Sequence, residues 1–274
     1  MVASSVVQEK GASDYAVNEI RRFILEVGRS QGILQSDQEP SIRSLCGVAG
    51  AKVGMAVRLA PAYSSQSQGN VERWHRELHK AIRVFKEVIF ENYGITMGPG
   101  HPLMSWVVKH ASWVHNRYQL HTDGTTSYER RWGNNYNRPI CEFGETVLFQ
   151  YGNRLVKMTS NWSTGIWIGK CTQSDEHYVT TADGVVRTRT IRRLNKPERY
   201  NKPLMDEVVT TGATPWASRG VARQPTEDFV LRGVPTIPNS PVSSEAEVQG
   251  GARTTPDELS LIHISEPTRR KHIS

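Results

Sequence analysis

The chain has 274 residues, 37% hydrophobic and 22% charged, with a formal charge of +7 and a pI near 9.4. That size allows one or two domains plus a tail, and the positive balance points to an anionic partner, nucleic acid being the commonest. No apolar run is long enough to span a membrane, the N-terminus lacks a signal-peptide pattern, and Cys46, Cys141 and Cys171 stand far apart without CxxC or Cys/His spacing. Neither a disulfide framework nor a zinc site is therefore indicated, and a reducing intracellular setting is expected.

From residue 15 to 27, Tyr15, Ile20, Phe23, Ile24 and Val27 recur at helical spacing, and Gly28 suits the left-handed C-cap. Residues 32–37 and 55–59 read as short strands joined by a helix opening at Pro40, a favoured first helical position. Parallel pairing in such a unit requires a right-handed crossover. From Val71 onward Trp74, Leu78, Ile82, Phe85 and Ile89 form the inward stripe of a helix. Glu72 lies off that stripe, and Arg76, His79, Lys80 and Arg83 follow it along the outward flank, a basic surface suited to a phosphate backbone. An ordinary charged helix exterior is the plainer alternative. A second amphipathic helix, 103–118, turns Trp106, Val107, His110 and Val114 inward, with His110 expected to be a satisfied core histidine and not a ligand.

Beyond Arg138 the period shortens to two in ETVLFQY, WSTGIWIGK and HYVTT, and Asp183-Gly184 is a hairpin signal. About five short strands between 144 and 194 predict a small all-β SH3-like barrel over residues 138–202. Arg187, Arg189, Arg192, Arg193, Lys196, Arg199 and Lys202 fall within sixteen positions that hold one acid, Glu198. Arg187 and Arg189 alternate along a strand and share a face that can neutralise phosphates without reading bases. Residues 203–258 are rich in Pro, Gly, Thr and Ser, with four basic residues against eight acidic ones, and read as a disordered linker. Within it ATPW, 213–216, is a candidate docking spot. Residues 259–274, beginning LSLIHISEPTR, resemble the translation of a transposase mosaic end joined to a sequencing-library adaptor, so no folded element is expected to depend on them.

Three segments, in order, resemble retroviral and retrotransposon integrases. QSQGNVERWHREL, 66–78, resembles the helix that carries their catalytic glutamate; ILQSDQEP, 33–40, resembles the strand end bearing their second catalytic aspartate. WVHNRYQLHTDGTTSYERRWG, 113–133, resembles the segment that closes their core, with a helix ending in Asn-Arg, a polar turn and a Ser-x-Glu. The resemblance implies an α/β ribonuclease H-like integrase core over residues 1–135, with residues 2–8 as its third strand and an SH3-like barrel after it. Asp37 and Glu72 would then be catalytic residues and metal ligands, and the 35 positions between them lie within one residue of the D-D-35-E spacing. Three carboxylates in that class hold two Mg2+ or Mn2+ ions against the scissile phosphate, and strand transfer needs no nucleotide cofactor. Gln68 and Asn70, flanking a Gly69 turn ahead of the helix, would touch DNA, as would Arg73, Arg76, Lys80 and Arg83 beside them.

The family's first aspartate stands some fifty or more residues before the second. Only thirty-six residues precede Asp37 here, and Asp14, on the brink of a helix, is no substitute. The chain is therefore expected to be an N-terminally truncated, inactive fragment of a long-terminal-repeat retrotransposon Pol polyprotein. The missing strand would leave unpaired strand edges. Implied partners are element-end and target DNA, further copies of the enzyme, and reverse transcriptase within the polyprotein, with no membrane. Implied locations are the nucleus and, earlier, cytoplasmic particles, without secretion. A non-enzymatic nucleic-acid or chromatin-binding remnant and a DDE DNA transposase are the alternatives.

Overall fold

The computed structural model describes residues 1–7, 9–29, 31–61, 65–150, 161–207 and 260–265, with side chains undescribed in 65–68 and 260–265. Gln68's contacts, the ATPW segment and most of the expected linker lie outside the described residues. The fold is mixed α/β.

Strand β1 (Val2–Val7) leads into helix α1 (Asp14–Val27). Ser13 caps the helix start by accepting the Ala16 N–H at 3.3 Å, and Gly28 closes its end at φ 71°, in the left-handed region that glycine enters without a Cβ clash. Ile20, Phe23, Ile24 and Val27 of α1 pack on Leu34, Leu45, Ala49 and Met55, forming one core. Those partners belong to the next unit: β2 (Ile33–Ser36), α2 (Pro40–Val53) and β3 (Ala56–Leu59). β2 and β3 pair in parallel from Ile33↔Ala56 to Ser36↔Leu59, as the strand-helix-strand pattern predicts.

β1 is not part of that sheet. It pairs antiparallel with β9 (Ser260–Ser265), in register from Val2↔Ser265 to Val7↔Ser260. This corrects the expectation that no folded element depends on residues 259–274: whatever the origin of that sequence, its backbone lies along β1. A strand edge presents a row of N–H and C=O groups that any extended segment can satisfy.

Helix α3 (Ser65–Tyr93) begins earlier than the apolar stripe alone indicates, so Gly69 lies inside the helix and not in a turn ahead of it. Helix α4 (Met104–Tyr118) is amphipathic by its sequence pattern, yet none of its residues before Tyr118 is exposed. It is walled in by β1, α3, the short helix α5 (Ser127–Trp132) and the C-terminal sheet. The Asn-Arg at its end is structural: the Asn116 amide donates to Val2 O at 2.7 Å and accepts the Val2 N–H at 2.8 Å. The Ser-x-Glu that follows is the first turn of α5, capped by the Thr126 hydroxyl accepting the Glu129 N–H at 3.0 Å.

The all-β part is a five-stranded antiparallel sheet in the order β7-β6-β5-β4-β8, from β4 (Thr146–Gln150), β5 (Trp162–Lys170), β6 (His177–Thr181), β7 (Gly184–Thr188) and β8 (Ile191–Arg193). It shares a core with the helices. Ile89 and Tyr93 of α3 and Trp106 and Val107 of α4 pack with Phe143, Ile166 and Ile168. Met205 of α6 (Lys202–Asp206) joins them, so folded structure runs past residue 203, where the composition places the start of the linker.

His110 is buried as expected, at 5% exposure among Phe85, Trp113, Phe143 and Trp167, but it is not satisfied: its Nδ1 has no hydrogen-bond partner. Burial, with the Arg117 charge, pushes its pKa down to about 3. The unfolded chain, with histidine near about 6.5, takes a proton that the folded chain refuses. This group's contribution is therefore complete above pH 6.5 and is lost as pH falls toward 3, at about 1.4 kcal/mol per pH unit. Urea unfolding between pH 7 and 5 should show a loss of about 2 kcal/mol from His110 alone, and His110→Phe should remove that part of the pH dependence. An identical pH loss in both proteins would refute the assignment.

Candidate nucleic-acid interface

Asp37 lies just past the carboxyl end of β2 and is exposed, its Oδ1 accepting the Gln38 N–H at 2.6 Å. This turn is tied to the exit of β3: the Ala60 N–H donates to Ser36 O at 2.8 Å, and Gln38 Nε2 donates to Ala60 O at 3.1 Å. From there the chain proceeds to α3.

On α3, Trp74 and Leu78 are buried, and Trp74 Nε1 donates to Ser4 Oγ of β1 at 2.9 Å. With that face fixed inward, Glu72 is exposed, together with Asn70, Arg73, Arg76, His79, Lys80 and Arg83. Lys80 pairs with Glu77 at 2.9 Å, and Arg83 Nε donates to His79 O at 3.3 Å. Among the described residues no group of three His, Cys, Asp or Glu side chains could hold a metal ion. No described helix is long and apolar enough to cross a membrane.

The basic cluster of the sheet divides by what each arginine touches. Arg193 forms a two-pronged pair with Glu145, Nε to Oε1 at 2.7 Å and Nη2 to Oε2 at 2.6 Å, and Glu145 has 0% exposure. Arg199 Nε adds a second cation at 3.6 Å from Glu145. These two arginines neutralise a buried carboxylate, a structural task that the run of basic residues does not reveal. Arg187 and Arg189 do share a face, and both reach Glu176, at 3.9 and 3.3 Å. Arg192 is exposed and lies over the Trp162 ring, 4.5 Å from its centroid. A guanidinium stacked on an indole holds its charge and its donors outward in a preset orientation.

A polar seam inside the molecule gives no sequence signal at all. Lys109 pairs with Glu19 at 3.0 Å, and Ser5 Oγ donates to the same carboxylate at 2.9 Å. Burial would raise Glu19, but Lys109 and Arg22 hold it below the usual carboxylate range. Arg117 is buried against the rings of Trp113, Tyr128 and Tyr136, with Glu26 at 3.9 Å. A cavity of about 120 Å³ between β1, α1, α4 and β5 is lined by His110, Trp113 and Arg117, each of which has an unpartnered ring or guanidinium nitrogen. The three cysteines are all buried and free, and burial with the nearby Glu145 charge pushes Cys141 up to about 12.

No family model matches the chain, and no curated protein does. Among solved structures it is similar to a chain of the cryo-EM structure of the simian T-cell lymphotropic virus intasome in complex with PP2A regulatory subunit B56 gamma. That match has 14% identity over 69% of this chain and 66% of the other, with a TM-score of 0.36. It is also similar to the crystal structure of the catalytic core domain of BIV integrase, with 19% identity over 44% of this chain and 74% of that one and a TM-score of 0.27. The chain spans just under two thirds of the intasome chain.

The two neighbouring arginines of β8 should separate on substitution. Arg193→Ala leaves the buried Glu145 with Arg199 as its remaining cation and should cost about 2–3 kcal/mol in urea unfolding, a figure reduced because the Arg193 guanidinium is partly solvated and Arg199 stays in place. Arg192→Ala should cost less than about 1 kcal/mol, because it removes an exposed ring contact only. Equal losses would remove the distinction.

Proposed function

We propose that residues 1–135 are an integrase-like core of the ribonuclease H type and that its substrate is DNA. The observation that carries this reading is the hydrogen bond from Gln38 to Ala60 O, at 3.1 Å, which joins the Asp37 turn to the chain entering the Glu72 helix. Ligands of open parallel sheets bind beyond the carboxyl ends of the strands, and Asp37 is at such an end. The exposed flank of Arg73, Arg76, Lys80 and Arg83 next to Glu72 supports a polyanionic substrate.

The five-stranded sheet, read as an SH3-like barrel, supplies a second basic surface at Arg192, Arg187 and Arg189. The fuller reading is an integrase from the Pol polyprotein of a long-terminal-repeat retrotransposon, acting in the nucleus on element ends and target DNA as an oligomer. Catalysis with Mg2+ or Mn2+ would need a third carboxylate beyond those described, so the activity proposed for this chain is DNA binding. A nucleic-acid or chromatin-binding module without enzymatic activity is the second reading. A DDE transposase shares the carboxylate chemistry, and a reverse transcriptase reading frame adjoining the source gene would exclude it.

The full chain should bind duplex DNA without sequence preference, with affinity falling steeply as salt rises in fluorescence anisotropy. Replacing Arg73, Arg76 and Arg83 with Ala should lower the salt slope by about 1 for each phosphate that is no longer neutralised. With Mg2+ or Mn2+ the chain should show no strand transfer. Joined to an upstream segment that supplies a further aspartate, it should gain that activity and lose it again in Glu72→Gln, with DNA binding intact. Glu77→Gln, an exposed change on the same helix, should alter little. An unchanged salt slope would defeat the DNA surface, and strand transfer that survives Glu72→Gln would defeat the residue assignment.

A further inference from the structure

We infer that the cavity between β1, α1, α4 and β5 is a binding site for a small oxyanion, a carboxylate or a phosphate, held by the side chains of His110, Trp113 and Arg117. These residues fall at positions i, i+3 and i+7 of α4, so they stand above one another along one side of the helix. That side is enclosed: each of the three is only 4–5% exposed. The Arg117 guanidinium carbon lies 4.3 Å from the Trp113 ring centroid, and the Trp113 and His110 rings stack with centroids 5.9 Å apart. Yet each residue keeps one buried nitrogen without a hydrogen-bond partner: Nδ1 of His110, Nε1 of Trp113 and Nε of Arg117. Buried polar groups are nearly always paired, and three unpaired ones on a single wall point to a ligand.

The chemistry of those atoms selects what the ligand is. An indole Nε1 and a guanidinium Nε only donate, and a neutral imidazole can carry its proton on Nδ1. A wall of donors calls for a group that accepts, and an ionised oxygen accepts most strongly. Charge agrees. The lining holds Arg22, Lys109, Arg117 and Lys170 against Glu19 and Glu26. Lys109 and Arg22 share Glu19, at 3.0 and 2.8 Å, and Arg117 stands 3.9 Å from Glu26. Lys170 is taken by Asp175, at 2.7 Å, from outside the lining. Four cations against three carboxylates leave one positive charge for a bound anion to neutralise.

Strand β5 leaves the space. Its register against β6 shifts between Trp167 and Gly169, and Gly169 has φ 138°, a conformation that side chains disfavour. A Cβ at Gly169 would stand 3.4 Å from His110 Nδ1, so that nitrogen faces bare backbone across the cavity. The volume is about 120 Å³. An apolar cavity of about 150 Å³ takes up benzene, so this one has room for a group of about four or five heavy atoms, the size of acetate or phosphate. Arg22 and Gln173 in the lining are exposed and give the cavity a solvent side.

The test uses the full chain and proton–nitrogen NMR of the Trp113 Nε1–H and Arg117 Nε–H groups. Sodium acetate and sodium phosphate are titrated separately at constant pH and ionic strength. At least one of them should shift both resonances along a saturating curve, and the tighter of the two tells carboxylate from phosphate. Acetamide, which has the shape of acetate without its charge, should bind about tenfold or more weakly. Trp113→Phe keeps a ring beside Arg117 and removes the indole N–H, so the Arg117 resonance should still shift, with affinity lower by about tenfold. Shifts that fail to saturate with either anion, or that saturate only outside α4, overturn the site. Acetamide binding as tightly as acetate overturns it too, because the cavity would then take any polar group, and so does unchanged affinity in Trp113→Phe. The titrations of the unsubstituted chain decide the matter even where Trp113→Phe loses the fold.

Discussion

Helix α4 has no exposed residue before Tyr118, and the rest of the structure follows from what that requires. A polar group taken out of water must find a partner or give up its charge. Lys109 finds Glu19 of α1, Asn116 takes both backbone groups of Val2, and Arg117 lies among aromatic rings with Glu26 near it. His110 takes the other course and stays neutral. The partners come from several elements, so α4 fixes β1 and α1 on one side while its apolar residues meet the five-stranded sheet on the other. The pairs add little net stability, because the desolvation of both charges offsets most of their attraction. Their effect is on specificity: few alternative packings of α4 would satisfy the same groups.

The sheet is organised by the same demand. Glu145 is wholly buried just ahead of β4, and Arg193 and Arg199 converge on it from the end of the chain's basic run. This interaction closes β8 against β4 and removes two of the cations that a charge count would assign to a ligand. Glu176 engages Arg187 and Arg189 more loosely, at the surface, where solvent screens the attraction and a phosphate could compete for the same groups. Net charge therefore overstates the surface available to an anionic ligand. The arginine best presented to a phosphate is Arg192, held on Trp162.

Much of the helical architecture is legible in the sequence because period and punctuation agree. The stripe from Tyr15 to Val27 with Gly28 behind it marks α1, and Pro40 opens α2 between two short strands. The earlier start of α3 is hidden because residues 65–70 are polar and carry no stripe. The enclosure of α4 short of Tyr118 is hidden because the residues that close its other side come from β5, which begins only at Trp162. Asn116 and Arg117 stand out only as part of a family resemblance, and the structure gives them a physical task. The pairs Glu145–Arg193 and Glu19–Lys109 carry no local signature, since a buried ion pair is defined by its partner across the fold. Asp37 and Glu72 are legible as a spaced pair, and both are exposed, but spacing cannot supply a third carboxylate.

The two carboxylates also belong to different packed units, and that bears on how rigid a site between them is. Asp37 rides on β2–β3, whose core is shared with α1 and α2. Glu72 rides on α3, whose inward face is fixed through Trp74 and Leu78 to Val6, Val108 and Ala111 of β1 and α4. Among the described residues no strand pairing connects β2–β3 to β1. Their relative position rests on β1, whose Val7 joins the first core and Val6 the second, on α1, whose Ala16 and Ile20 meet one core while Glu19 bonds to Lys109 and Ser5 on the other side, and on the Gln38–Ala60 tie at the chain's approach to α3. A catalytic constellation has to be held to within a fraction of an ångström. Side-chain packing through β1 and α1, with no hydrogen-bonded sheet between the units among the described residues, sets how closely the two carboxylates are held.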